Sequence, residues 1–134
     1  MSEREAATTT HAVVECVIPI LNVASVAASV GYYTDVLGFH RDWVDGDPPT
    51  MASVSRDGHA IMLCERMQGH AGTWIWIGVD DILPLWDQYR SRGVRFRQTP
   101  TNHPWAYEMQ VEDPDGHVLR FGSEPRTGSL SRDG

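Results

Sequence analysis

The sequence predicts an α+β fold in which two βαβββ units, paired as a repeat, form a curved mixed sheet shaped like a cup with helices on its outer side. Three observations predict it. The stretch "IPILNVASVAASVGYYTDVLGF" from Ile18 aligns with "WIWIGVDDILPLWDQYRSRGVRF" from Trp74, setting Val23 against Val79, Tyr33 against Tyr89 and Gly38 against Gly93. The triplet Asp-Gly-His then occurs twice, as Asp57-Gly58-His59 and Asp115-Gly116-His117, at nearly the same offset and in the same order. Between these anchors, the apolar periodicity switches from two to three or four and back, as strand, helix and strand require.

In the first unit, residues 15–23 alternate and end in an apolar run, which reads as a strand. Ser25 is placed to cap a helix reaching residue 36, and Gly38 to end it. Extended segments follow at 39–44, 50–55 and 60–65. The last two are joined by "RDG", where glycine tolerates a positive φ, and "DGDPP" at 45–49 reads as a loop. The second unit repeats the scheme: a strand at 73–79, then a helix from Asp80 or Asp81 to residue 92 with Pro84 in its first turn and Gly93 after its end. Strands at 94–97, 107–112 and 117–122 complete it, the last pair joined by "DPDG". The single domain spans 12–124, with units at about 14–66 and 73–122. The polar ends, 1–11 and 125–134, read as flexible tails, and the first is no export signal.

Alternation assigns the faces. Tyr107, Met109, Val111, Leu119, Phe121, Ile75, Ile77 and Val79 fall on the helical side. The other face carries Ile18, Met62, Trp74, Trp76, Glu108, Gln110 and Arg120, a largely apolar and aromatic surface with a few polar groups, as small-molecule pockets have. His59 and His117 open equivalent hairpins, where a polar, solvated position is expected. Trp86 belongs to the core side of the second helix.

Composition excludes other classes. Eleven Lys and Arg against eighteen Asp and Glu give a net charge of −7, and no window gathers the basic residues into a nucleic-acid-binding patch. An acidic balance is compatible with a cationic small ligand. No apolar run approaches the ~20 residues of a membrane span. Cys16 and Cys64 make no disulfide framework and read as buried thiols of a reduced, cytoplasmic protein. Neither a metal-binding nor a nucleotide-binding local motif is present.

The doubled unit, with "WIWIGVDD" and "HPWAYEMQVEDPDGHVLRF", resembles the vicinal oxygen chelate superfamily of glyoxalases, extradiol dioxygenases and fosfomycin- and bleomycin-resistance proteins. The resemblance spans nearly all of 12–124. In its metal-dependent members, four equivalent positions hold ligands; carried onto this chain they are Ile18, Met62, Trp74 and Arg120, with Leu63 the neighbouring choice to Met62. None suits a divalent cation, and Arg120 would repel one. The "HPWAYEMQVEDPDGH" stretch is instead similar to the metal-free, bleomycin-resistance branch.

That branch implies a homodimer that binds a drug in grooves built from both subunits, with no catalytic residue, metal or cofactor. The ligand is a small molecule with a flat aromatic group, cationic in one reading, and neither nucleic acid nor membrane is a partner. The ligand-binding residues expected are Trp43, Met62, Trp74, Trp76, Trp105, Glu108, Gln110 and Arg120. Glu108 and Arg120 are expected to form an internal ion pair, the alternative being that Glu108 and Gln110 meet a ligand amine. The competing function is a metal-dependent or cofactor-free enzyme of the same superfamily, a lyase, isomerase or dioxygenase.

Overall fold

A computed structural model provides the structure, which describes residues 12–126. The first unit runs β1 (Ile20–Val23), α1 (Val26–Gly31), a π-helical turn (Tyr32–Val36), β2 (His40–Gly46), β3 (Pro49–Arg56) and β4 (His59–Glu65). The second runs β5 (Trp74–Gly78), α2 (Leu83–Ser91), β6 (Arg95–Asn102), β7 (Tyr107–Glu112) and β8 (Val118–Ser123). Each unit forms one four-stranded sheet, in the orders β1-β4-β3-β2 and β5-β8-β7-β6. In both, the first strand runs parallel to the last while the remaining pairs are antiparallel. The paired βαβββ architecture is therefore present. No strand pair joins the two sheets among the described residues, so the cup is not closed by backbone hydrogen bonds within the chain.

Local chemistry accounts for most boundaries. The Ser25 hydroxyl accepts from the Ala28 amide at 3.1 Å, capping α1. Gly38 takes φ +81° beyond its end, where a side chain would be strained. Asp57 and Gly58 both have positive φ, the geometry of a two-residue hairpin turn whose twist matches the flanking strands. In the second unit Asp81 accepts from the Leu83 amide at 3.0 Å, although Ile82 occupies the capping position itself.

Several boundaries differ from expectation. The first strand begins at Ile20, not 15, because residues 12–18 have no strand partner and are exposed. "DGDPP" is no open loop: β2 reaches Gly46 and β3 starts at Pro49, leaving a tight turn. The helical segment widens into a π-turn at Tyr32, where Leu37 donates to the Tyr32 carbonyl. β6 continues to Asn102, five residues past its expected end. Chain contacts also extend to Arg126, whose amide and carbonyl pair with the Asn102 side chain at 2.9 Å each. The expected tail 1–11 and residues 127–134 lie outside the described residues.

One apolar core serves both units. Leu21, Val23, Val54 and Leu63 from the first sheet pack in it with Met109, Val111, Leu119 and Phe121 from the second. Tyr33, Leu37 and Tyr89 enter it from the helical segments. Burying each such side chain is worth ~1.5–3 kcal/mol. Polar ties cross between the units within this core. The Tyr89 hydroxyl donates to the Leu37 carbonyl at 2.6 Å, and the Tyr33 hydroxyl to the buried Asp113 carboxylate at 2.8 Å. Burial pushes the Tyr89 hydroxyl up to about 12.

His117 is fully buried, contrary to the solvated position expected. Its Nδ1 accepts from the Thr73 amide at 3.0 Å and its Nε2 meets the Asn22 carbonyl at 2.6 Å, so the ring bridges the start of β5 to β1. Cys64 is buried as expected, but Cys16 is exposed on the segment before β1. Among the described residues no helix is long and apolar enough to cross a membrane.

Candidate functional site

The face of the second sheet turned away from the core carries five of the eight expected residues, and a sixth, Trp105, joins them from the connection between β6 and β7. Strand register builds it in rungs: Trp76 lies beside Arg120, Arg120 beside Gln110, and Gln110 beside Gln98. The next rung holds Gly78, Gly122, Glu108 and Thr101. Alternation along each strand thus delivers the polar and aromatic side chains to one surface, as the sequence implied.

Glu108 is the hub. It is 1% exposed, and its carboxylate accepts four hydrogen bonds. Arg120 donates twice, Nε to Oε2 at 2.7 Å and Nη2 to Oε1 at 3.0 Å, in a bidentate fork. The Trp105 indole donates to Oε1 at 3.1 Å, and the Gln110 amide to Oε2 at 3.2 Å. The Arg120 hydrogen bonds, opposed by burial and aided by Trp105 and Gln110, hold the Glu108 carboxyl down at about 2. The same pairing raises Arg120 further above its already high ordinary value. The ion pair expected between Glu108 and Arg120 is therefore formed, and with Trp105 and Gln110 it engages every strong acceptor site of the carboxylate.

Three tryptophans frame this pair. Trp76 is 48% exposed and lies across Gly122, where any Cβ would collide with its benzo ring. The Arg120 guanidinium sits over the Trp76 ring, 5.1 Å from its centroid. On the neighbouring rung Trp74 is half exposed and covered by Arg97, also at 5.1 Å, which pairs with Glu112 at 3.2 Å. Trp105, the most exposed of the three, stacks flat on His103 with ring centroids 4.4 Å apart, while His103 reaches Gln98 at 3.3 Å. A concavity of about 480 Å³ opens between Trp76, Trp105, Gly122 and Glu124. A larger one, about 650 Å³, lies between the units, walled by Phe39, Ile61, Ile75, Leu85 and Phe121, with Trp76 at its edge.

The other two expected residues sit on the first sheet. Met62 is half-buried between Ile20 and Ser53, and Trp43 lies beside Ser53 on the exposed β2. Within the chain they belong to a separate sheet from the tryptophan face, so the eight do not form one cluster. Of the four positions equivalent to metal ligands, Ile18 precedes β1, Met62 is on β4, Trp74 on β5 and Arg120 on β8. Among the described residues no three His, Cys, Asp or Glu side chains converge to hold a metal.

Sequence reasoning missed Arg97, Gln98, His103 and the need for glycine at 122. Gln98 reaches this face through a register shift between Phe96 and Gln98, which simple alternation does not reveal. Gln98 and His103 lie in or just past the part of β6 that no strand was expected to cover. The one available signal was Gly122 itself, because glycine within a strand marks close approach of another group.

The family model described as the Glyoxalase/Bleomycin resistance protein/Dioxygenase superfamily matches residues 10–121. Among solved structures, TioX from Micromonospora sp. ML1 is similar with a TM-score of 0.75 at 17% identity, over 83% of this chain and 99% of that one. TnmS3, an antibiotic binding protein from Streptomyces sp. CB03234, gives 0.75 at 20% identity, over 87% and 99%. The bleomycin-binding protein from bleomycin-producing Streptomyces verticillus, complexed with copper(II)-bleomycin, gives 0.71 at 22% identity, over 87% and 100%. Identities this low establish a shared fold. No curated protein matches the sequence.

Proposed function

The chain belongs to the glyoxalase/bleomycin resistance protein/dioxygenase superfamily, and from that premise we propose that it is a non-catalytic, cofactor-free binding protein. It sequesters a small molecule with a flat aromatic group, an antibiotic of bleomycin type in the broad sense, and protects by mass action without making or breaking bonds. The observation that carries this reading is the tryptophan face: three half-exposed indoles around a carboxylate whose acceptor sites are all engaged. Such a surface offers stacking area and leaves Glu108 no lone pair with which to act as a base.

The protein works as a cytoplasmic homodimer, in which the partner completes the groove. Support comes from Ile18, Trp43 and Val44, which leave apolar surface exposed on the first unit. Trp43 and Met62 then face ligand across the dimer.

Isothermal titration with a bleomycin-class glycopeptide tests the reading. One site per protomer is expected, and Trp74→Ala or Trp105→Ala should each weaken binding by roughly three- to tenfold, the worth of one stacked ring. No heat at micromolar protein would remove bleomycin as the ligand. Stoichiometric nickel, zinc, manganese or iron in the purified protein would replace this reading with an enzymatic one.

A further inference from the structure

We infer that Arg120 selects the ligand by donating to an oxygen acceptor on its aromatic group, a ring-borne carboxylate, phenolate or carbonyl, and that this face does not select for a cation. The inference rests on the small-molecule reading of the same face and narrows it.

A guanidinium carries five N–H donors. Two of those on Arg120 are engaged by Glu108, through Nε and Nη2. Three remain, and the end-on pair from Nη1 and Nη2 forms a second fork with the spacing that matches a carboxylate or two adjacent oxygens. Arg120 is one-third exposed, so this fork opens outward beside the Trp76 ring. Its plane is fixed by the bidentate contact on one edge and the indole on its face. Little rotamer entropy is left for a ligand to remove.

The acceptors are meanwhile consumed. Both Glu108 oxygens take two donors each, one set from Arg120 and one from Trp105 and Gln110. An arriving ammonium would have to break one of these contacts to find a partner there. It would also meet Arg97 over Trp74 and Arg120 over Trp76, where the chain's own cations already hold the positions that attract a cation to an indole. The net charge of −7 belongs to the whole chain and is screened beyond ~8 Å at physiological salt. The contacts at short range decide, and they present donors.

The test is isothermal titration of the full chain with two probes that share one ring system, 1-hydroxy-2-naphthoate and 1-naphthylmethylammonium. Wild type, Arg120→Lys and the double variant Glu108→Gln/Arg120→Gln are compared, with a thermal melt to establish folding. Wild type is expected to bind the naphthoate at least about tenfold more tightly than the ammonium, one good charge-assisted fork being worth about that factor. Arg120→Lys, which keeps the charge and loses the fork, should lose most of that preference, and the folded double variant all of it. If Arg120→Lys does not fold, the neutral double variant alone decides. Ammonium binding as tight as naphthoate, or a preference that survives in the folded double variant, overturns the assignment. Glycopeptide binding with both naphthalene probes inert would overturn it while leaving the binding-protein reading intact. Three inert ligands would sink both.

Discussion

Arg120→Met is the substitution whose cost follows most directly from the geometry. It keeps a side chain of similar reach but leaves Glu108 buried with only the Trp105 and Gln110 donors. The Glu108 carboxyl is held at about 2 against an ordinary 4.5, with Arg120 the largest cause. At 1.36 kcal/mol per pH unit that depression corresponds to ~3 kcal/mol of stability at neutral pH, and most of it leaves with the guanidinium. Breaking one partner of a buried pair costs a similar ~3–5 kcal/mol on general grounds. Urea unfolding at pH 7 should therefore show a midpoint roughly 1.5 M lower for the variant, taking a slope of ~2 kcal/mol per molar.

The pH dependence carries a definite sign. Between about 4.5 and 2 the unfolded wild-type chain holds a proton on this carboxyl that the folded one does not, so wild type loses stability as pH falls through that window. The full contribution is present above 4.5. In Arg120→Met the depression is largely gone, so the gap between the two proteins should close by up to ~1.4 kcal/mol per pH unit below 4.5. A gap under ~1 kcal/mol at pH 7, or one equally large at pH 3, would refute the assignment of Arg120 as the stabiliser of this buried charge.

Other substitutions probe other contacts. Gly122→Ala should cost ~1–3 kcal/mol and shift tryptophan emission, because its methyl displaces the Trp76 benzo ring; an unchanged spectrum would mean the ring lies elsewhere. Tyr33→Phe removes the hydroxyl that donates to buried Asp113 and should lower stability by ~1–3 kcal/mol in a thermal melt. Equal stability would show that the backbone amides of Asp115 and His117 satisfy that carboxylate unaided. Gly38→Ala should cost ~1–3 kcal/mol, since its φ of +81° strains alanine and the methyl presses on Arg56 where that residue donates to the Leu37 carbonyl.

What the sequence revealed, and what it hid, divides by range. Features set by a few adjacent residues were legible: the Ser25 cap, the Asp57-Gly58 turn, the end of the first helical segment before Gly38, and the faces of β5, β7 and β8 on which Trp74, Trp76, Glu108, Gln110 and Arg120 line up. The Glu108–Arg120 pair followed too, because both positions share a face on paired strands. Features set by distant partners were not. His117 looks like a solvated turn residue until Thr73 and Asn22 close on it from far along the chain. The π-helical turn is locked by Tyr32 and Tyr33, whose hydroxyls reach the Glu112 carbonyl and Asp113 in the other unit. Each unit also forms its own sheet, so Met62 and Trp43 lie on a different sheet from Trp74 and Trp76, which strand alternation alone does not distinguish.

The two Asp-Gly-His turns, spelled alike, have unequal standing. Asp57 is exposed at the tip of its own hairpin. Asp115 instead accepts from the Ala24 amide at 2.9 Å and from the Ser29 hydroxyl at 3.3 Å, riveting the second unit to the start of the helix in the first. Mutational tolerance should therefore be lopsided across the repeat. Side chains that tolerate a positive φ can replace Asp57, where only one hairpin feels the change. At 113–116 a like change would loosen the joint on which both halves depend.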